Sequence, residues 1–221
     1  AIQPCSITQL VFSTVIAYDN RAFPGEKPRS IEDFFNVERF PGKRALRKAP
    51  VGLFEWALMA YGVPRVQLYD LLSTQRGFQL AFRKLNGIRD QLVWWQGGQE
   101  PVDLLTSGKV AMASGYNGRF FNAQVMENQP FELMWDGQLF ELDGWVVPQG
   151  KLTDRVKDYL HFATDTQRLA NQAKYISYGP ARESSAPKVS THAETGIDMK
   201  PHMPTNPENF KNPIKKNAEW W

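Results

Sequence analysis

The sequence predicts an α/β fold with a largely parallel sheet that helices cover on both faces. Runs of β-branched and aromatic residues, such as Ile7–Tyr18 and Gln91–Trp95, alternate with segments of helical apolar spacing, such as Val51–Tyr61. The chain has 221 residues, of which 42% are hydrophobic and 22% are charged. This composition is typical of a globular protein with one large domain or two small ones.

Charge, hydropathy and cysteine content argue against a nucleic-acid-binding, a membrane-spanning and a disulfide-stabilised protein. A net charge of +3, spread along the chain, gives no indication of nucleic-acid binding. We interpret the basic cluster Lys43-Arg44 and Arg47-Lys48 as a solvated loop and strand edge rather than a phosphate site. No apolar run approaches the roughly 20 residues that span a bilayer. The single cysteine, Cys5, excludes an internal disulfide and leaves the compartment unassigned.

Cap and turn residues define the elements of the first half of the chain. Ile7–Tyr18 is predicted to be one strand. Ser30 and Asp33 have the spacing of a capping box, which predicts a short helix at this point. The helix Val51–Tyr61 ends at Gly62, and a proline follows two residues later. The other elements predicted here are a strand at Arg44–Leu46 and helices at Gln67–Leu72 and Arg76–Asn86.

The stretch from Lys109 to Pro148 carries the strongest indication of a binding site. A strand at Gln91–Trp95 and a helix at Pro101–Ser107 are predicted to precede this stretch. The stretch itself is predicted to begin with a buried strand at Lys109–Ser114 and a helix from Phe120 to Asn128, which Gly115–Arg119 opens. A strand at Phe131–Trp135, a turn at Asp136-Gly137 and a strand at Leu139–Pro148 are predicted to follow. Ligands of open α/β sheets bind at carboxyl ends of strands and at the helix starts beside them. The residues expected at such ends are Tyr116, Asn117, Asp143 and Trp145.

The last third of the chain is expected to change from helices to an extended tail. Thr153 and Asp165 are predicted N-caps of helices that run to Phe162 and Tyr175. From Gly179 onward the chain contains six of its 15 prolines, which predicts a loop-rich segment that wraps over another part of the protein. The start at Ala1 rather than Met, and the terminal pair Trp220-Trp221, suggest a fragment.

Catalytic and metal-binding candidates are sparse. His161, His192 and His202 have no second ligand at metal spacing, so we interpret them as surface or packing residues and predict no metal or cofactor. Glu141 and Asp143 are two positions apart in a predicted strand and therefore share a face. A carbohydrate-active or other hydrolytic enzyme on an α/β scaffold that uses both carboxylates, for instance a glycosidase, is the alternative to a binding protein.

Aromatic residues are more informative than the histidines. Six of them lie near predicted strand ends or turns: Trp94, Trp95, Tyr116, Trp135, Trp145 and Tyr178. Each by itself is more often a core residue. Together with Asp143 they could form a box that stacks on a cation or an apolar ligand stem, with the carboxylate as counter-charge. Arg182 is either a surface arginine or a fork that holds a ligand carboxylate.

Six motifs, spread over nearly the whole chain, carry a resemblance to a known family. They are Ser13–Asp19, Asp33–Phe35 with Phe40–Arg44, Glu55–Ala60, Leu105–Arg119, Leu142–Pro148 and Tyr175–Pro180. Together they resemble the extracytoplasmic solute-binding proteins of ABC importers, in the spermidine/putrescine-binding group. The resemblance implies a periplasmic-binding-protein-like fold of type II, in which two α/β lobes joined by crossover strands close on a solute.

The resemblance also implies how the chain divides into lobes. Residues 1–19 would end the first lobe and lead to the hinge, residues 20–135 would form a complete second lobe, and residues 136–221 would return to the first lobe with the proline-rich tail. About a hundred residues of the first lobe would be absent.

As such a receptor, the protein would be a periplasmic or extracytoplasmic monomer without catalytic activity. It would capture a small cationic or polar solute (polyamine, amine or amino-acid-like) and deliver it to the ABC permease. By position, Tyr116 resembles the stacking aromatic, Asp143 the amine-binding carboxylate and Tyr178 a wall of the site. The full predicted ligand-binding set is Ser13, Thr14, Trp95, Tyr116, Asn117, Asp143, Trp145, Tyr178 and Arg182. One departure is that Lys48–Pro50 and Gly52 stand where polyamine binders carry acidic residues.

Overall fold

The computed structural model describes residues 2–3 and 6–221, so Cys5 lies outside the described residues. The strands are β1 (Ile2–Gln3), β2 (Ser6–Asp19), β3 (Arg44–Arg47), β4 (Leu92–Trp95), β5 (Met112–Tyr116), β6 (Phe131–Val146), β7 (Gly179–Pro180) and β8 (Ile214–Lys215). The helices are α1 (Ile31–Phe35), α2 (Leu53–Met59), α3 (Leu68–Leu72), α4 (Gln75–Asn86), α5 (Glu100–Thr106), α6 (Asn117–Met126), α7 (Asp154–Ala163) and α8 (Thr166–Gln172).

The chain forms two compact units. Unit 1 consists of the N-terminal segment up to Ser13 together with Phe140–Asn209, and unit 2 consists of Thr14–Leu139 together with Phe210–Trp221. Strands β2 and β6 each run from one unit into the other. The order of elements along the chain follows the predicted alternation of strands and helices.

The sheet of unit 2 is mixed rather than largely parallel. Its strand order is β4-β3-β5-β2-β6-β8. Strand β3 is parallel to β4 and β5, but β2 is antiparallel to β5, with Thr14 opposite Tyr116. The predicted largely parallel sheet is therefore wrong for β2. This strand enters from unit 1, so a crossover helix of unit 2 does not determine its direction.

Helices cover both faces of this sheet, as predicted. Neighbouring strand residues point to opposite faces, and in β2 Val15 and Ile16 accordingly lie in two different hydrophobic cores. The core around Ile16 contains residues of α1, α2, α3 and α4, and the core around Val15 contains residues of α5 and α6. The carboxyl ends of the strands therefore remain between two helical layers.

The predicted capping box at the start of α1 is confirmed. The Ser30 hydroxyl accepts from the Asp33 N–H at 3.3 Å, and the Asp33 carboxylate accepts from the Ser30 N–H at 3.0 Å. Asp136 of β6 also accepts from the Ile31 N–H at 2.9 Å. Both carboxylates satisfy backbone donors that the first turn of a helix leaves unpaired.

The predicted turn at Asp136-Gly137 is wrong, because β6 continues through both residues as one strand. Gly137 adopts φ +66°, and its carbonyl accepts from the Trp56 indole N–H at 2.7 Å. A Cβ at this position would lie 2.6 Å from the Ile31 side chain. Asp136 therefore caps α1, and Gly137 allows β6 to lie close to α1. The pair does not form a hairpin turn.

Unit 1 contains α7, α8 and, up to Asn209, the loop-rich tail that the prolines predict. The Thr153 hydroxyl accepts from the Val156 N–H, and the Asp165 carboxylate accepts from the Arg168 N–H, so both predicted N-caps are confirmed. In the tail, β7 pairs antiparallel with β2, and short 3₁₀ segments alternate with irregular chain.

The terminal tryptophans pack on helices of their own unit. The Trp221 ring stacks on Phe54 with centroids 6.2 Å apart and planes at 8°, and its indole N–H donates to the Glu55 carboxylate at 3.1 Å. Glu55 is fully buried, and it also accepts from the Gly52 N–H and from the Tyr69 hydroxyl, both at 2.9 Å. Three donors therefore compensate the burial of this carboxylate.

Replacing Trp221 tests this anchor. Trp221→Ala is expected to lower the free energy of unfolding by about 2 kcal/mol, because it removes an aromatic contact and a hydrogen bond to a buried carboxylate. Trp221→Phe keeps the ring and should lose about half as much. Urea denaturation of the full-length protein measures both. Equal stability of Trp221→Ala and the wild type would contradict the assignment.

Tyr69 gives the same cluster a dependence on pH. Burial and then the charge of Glu55 raise the pKa of the Tyr69 hydroxyl from 10.0 to about 12. The contribution of this group to stability is therefore complete below pH 10 and is lost between pH 10 and about pH 12, because the unfolded chain releases its proton first. The expected loss is about 2 kcal/mol over this window. In urea unfolding measured at several pH values, Tyr69→Phe should lose less stability between pH 10 and pH 12 than the wild type. An identical dependence of the free energy of unfolding on pH in both proteins would contradict this role of Tyr69.

Candidate functional site

The parallel strands of unit 2 end at one edge of the sheet. Arg47, Trp95 and Tyr116 are the last residues of β3, β4 and β5, and α6 begins directly after β5 at Asn117. Carboxyl ends of parallel strands, together with an adjacent helix start, are the usual position of ligands in such sheets. We refer to Arg47, Trp95, Tyr116 and Asn117 as the carboxyl edge.

Within the carboxyl edge, Trp95 is a buried support rather than an exposed aromatic face. Its side chain is 1% exposed, and its indole N–H donates to the Ser114 hydroxyl at 3.1 Å. The ring contacts Tyr116 edge-on, with centroids 6.2 Å apart, and the Arg47 guanidinium lies 5.8 Å from its centroid. Trp95 thus positions a half-buried tyrosine and an exposed cation through aromatic and cation–π contacts.

The other predicted residues of this edge are less accessible. Asn117 and Ser13 are fully buried, and Thr14 is half-buried opposite Tyr116 in β2. A Cβ on Gly98 would lie 3.2 Å from the Tyr116 ring, so the loop after β4 also packs on that ring. Tyr116 is therefore held from two sides, and part of its face remains exposed.

The two arginines of the basic cluster, Arg44 and Arg47, lie in different environments. Arg44 is fully buried, and its guanidinium donates to the carbonyl oxygens of Phe34, at 2.9 Å, and of Phe40. Burial lowers the pKa of Arg44 to about 10. Arg47 is exposed at the carboxyl edge, and among residues 6–221 no carboxylate forms an ion pair with it. The interpretation of the whole cluster as solvated is therefore wrong for Arg44, and it overlooked the position of Arg47 at a strand end.

In unit 1, Asp143 and Trp145 lie two positions apart on β6. Asp143 is exposed, and its carboxylate accepts from the Gly144 N–H at 2.8 Å. The Trp145 ring contacts Tyr159 of α7 with centroids 5.4 Å apart, and its buried indole N–H has no hydrogen-bond partner among the described residues. A Cβ on Gly144 would lie 2.4 Å from the Ile7 carbonyl oxygen, so only glycine permits this approach of β2 and β6.

Tyr178 and Arg182 are positioned by neighbours within unit 1. The half-buried Tyr178 ring lies 5.9 Å from that of Phe12, and the Arg182 guanidinium donates to the Thr164 carbonyl oxygen at 2.5 Å. Arg182 is exposed, but this hydrogen bond connects the chain after β7 to the end of α7. The contact gives Arg182 a structural role that the sequence did not indicate.

The histidines occupy separate environments. His192 is 6% exposed, and its Nδ1 lies 3.0 Å from the Thr195 hydroxyl, whereas burial lowers the pKa of His202. Within the part of the chain that the structure describes, no three His, Cys, Asp or Glu side chains are grouped to hold a metal ion.

Comparison with protein families gives a match over most of the chain. The model of the family described as "Bacterial extracellular solute-binding protein" matches residues 7–205. The chain belongs to this family. Membership confirms the predicted extracytoplasmic location. In residues 2–3 and 6–221, no helix is long and apolar enough to cross a membrane.

Individual relatives support the family and the fold. A γ-aminobutyric acid-binding protein of Pseudomonas aeruginosa is 34% identical over 98% of this chain, which spans 60% of that protein's length. The structure of MotA from A. tumefaciens B6 in complex with glucopine has a TM-score of 0.84 at 25% identity and covers the whole chain, which spans 67% of it. A structure described as a GABA receptor has a TM-score of 0.78 at 28% identity over the whole chain, which spans 65% of it.

The predicted spermidine/putrescine resemblance is confirmed only for the fold. A protein of Listeria monocytogenes described as a spermidine/putrescine ABC transporter has a TM-score of 0.72, but it is 16% identical over 98% of this chain and 65% of its own length. The predicted periplasmic-binding-protein-like fold is thus confirmed, whereas the relatives of higher identity are described by other ligands.

Proposed function

We propose that the protein is the solute-binding receptor of an ABC importer and that its solute is a small amino acid of the γ-aminobutyrate type. The observation that carries this proposal is the exposed Arg47 at the carboxyl edge, beside an aromatic residue and without an ion-pair partner among the described residues. Relatives described as binding γ-aminobutyric acid support the same class of ligand. The ABC permease is the proposed membrane partner.

Arg47 is the proposed partner of the solute carboxylate. A guanidinium presents a planar pair of donors that fits a carboxylate, and such charge-assisted hydrogen bonds are stronger than neutral ones. Its contact with the buried Trp95 limits the rotamers available to the long side chain before a ligand arrives. Tyr116 is proposed to contact the aliphatic stem of the solute.

Asp143 is the proposed partner of the solute ammonium. Its carboxylate is exposed, and its one hydrogen bond given by the structure comes from the N–H of Gly144, so oxygen lone pairs remain for a ligand. Trp145 and Tyr178 belong to the same unit and are proposed as aromatic neighbours of the ammonium. Each charge of the solute thus has its own proposed partner residue.

A polyamine matches these charges less well. A diamine needs a second counter-charge, but the segment after β3 supplies Lys48, Ala49 and Pro50 instead of an acid. An ammonium near Arg47 and Lys48 would be repelled rather than paired. Discrimination against diamines therefore comes from an unfavourable charge as well as from a favourable one for the carboxylate.

The glycosidase-like alternative with Glu141 and Asp143 is not favoured. The relatives are described as a binding protein and a receptor, and Asp143 is exposed rather than enclosed in an apolar pocket.

A ligand series tests the proposed solute class. In isothermal titration calorimetry with the full-length protein, γ-aminobutyrate is expected to bind most tightly, because it alone carries both charges. Butylamine, butyrate and putrescine should each bind at least roughly tenfold more weakly, since each lacks a charged hydrogen bond. Tighter binding of putrescine would restore the polyamine hypothesis, and absence of binding in the whole series would refute the proposed solute class.

Two variants test the proposed residues. Arg47→Gln should weaken γ-aminobutyrate binding about 10- to 100-fold and remove the preference over butylamine. Asp143→Asn should have a similar effect and remove the preference over butyrate. The matched control is Arg76→Gln, which replaces an exposed arginine at the start of α4. If both variants keep the wild-type preference for γ-aminobutyrate over butylamine and over butyrate, the roles assigned to Arg47 and Asp143 are wrong. The solute class itself is tested separately by the ligand series.

A further inference from the structure

Unit 2 contains a second concave site on the face of β4 that carries Trp94, opposite to the face that carries Trp95. It has a volume of about 460 Å³ and lies among α2, α4, the end of β3 and β4. The lining residues that matter here are Lys48, Phe54, Phe82, Asn86, Arg89 and Trp94. We refer to this site as the β4 groove. Its volume lies within the range of small-molecule sites.

The apolar wall of the β4 groove is formed in advance of any ligand. Phe54 is fixed by three aromatic contacts: its ring lies 5.3 Å from Phe78, 5.2 Å from Phe82 and 6.2 Å from Trp221. Trp94 is 46% exposed, and Phe82, although it contacts Phe54, is itself 50% exposed. Two large apolar side chains thus remain in water around a rigid aromatic wall, which is energetically unfavourable without a ligand.

The polar residues of the β4 groove carry positive charge only. Lys48 and Arg89 are both exposed, and in the described part of the chain neither side chain has a hydrogen bond or an ion pair. The Asn86 side chain likewise has no partner there, and no acidic residue lines the groove. Two free cations and an amide around an apolar wall favour a ligand with an apolar body and one anionic group.

We propose that the β4 groove is a second ligand site, which binds a small amphipathic carboxylate such as an arylalkanoate. The aromatic body packs on Phe54, Phe82 and Trp94, and the carboxylate pairs with Arg89 and Lys48. A zwitterionic amino acid is a poor ligand here, because the groove offers no acid to its ammonium. Lys48 enters both this proposal and the charge argument about diamines, but Arg89 and Phe82 belong to the β4 groove alone and therefore test it separately from the solute proposed above.

Calorimetric titration of the full-length protein with 4-phenylbutyrate tests the proposal. Saturable binding is expected, and the neutral amide 4-phenylbutanamide should bind at least about tenfold more weakly because it lacks the charge. Arg89→Gln should reduce the affinity for 4-phenylbutyrate about tenfold and remove the preference for acid over amide. Arg76→Gln, at the start of α4 and outside the lining of the β4 groove, is the matched control and should bind like the wild type.

A second variant separates the apolar wall from the charges. Phe82→Ala should weaken the acid and the amide alike, and γ-aminobutyrate titration of the same sample reports whether the protein remains folded. Equal binding of acid and amide to the wild type, or an Arg89→Gln variant with wild-type affinity, would overturn the proposal. A wild-type dimer in sedimentation experiments that Phe82→Ala converts to a monomer would overturn it in favour of a second copy as occupant.

Discussion

Burial of the Arg44 guanidinium is the interaction on which the position of the carboxyl edge depends. An unpaired buried cation is strongly unfavourable, but Arg44 donates to the carbonyl oxygens of Phe34, Phe40 and Gly42. These carbonyls belong to the end of α1 and the following loop, so the side chain joins that segment to β3. Because β3 is the middle one of three parallel strands, its placement determines where Arg47 emerges.

The same strand explains why two nearby arginines differ so much in environment. Positions three apart in a strand face opposite sides of the sheet, so Arg44 points toward α1 and Arg47 toward Trp95. The adjacent pair Trp94 and Trp95 follows the same alternation, with one indole exposed in the β4 groove and the other buried under Tyr116. Because side chains alternate between the two faces of a sheet, the same strand ends present chemically different side chains on each face.

Local signals in the sequence predicted most elements, whereas tertiary contacts decided the differences. The capping box of Ser30 and the cap of Thr153 were predictable because each depends on residues within one turn of a helix. The turn at Asp136-Gly137 was predicted wrongly, since the pair serves a helix about a hundred residues away. The direction of β2 could not be predicted from the sequence either, because strand direction depends on the neighbouring strands of the sheet and not on composition.

Residue types at the candidate site were easier to predict than their exposure. The sequence indicated Trp95 and Tyr116 together, but a strand of four residues did not reveal which of two neighbouring tryptophans faces the core. Ligand class is harder still, because a shared fold is compatible with opposite charges at the strand ends. In this chain two basic residues, Arg47 and Lys48, lie at the end of β3, and a few such side chains change the sign of the potential at a sheet edge without changing the sheet.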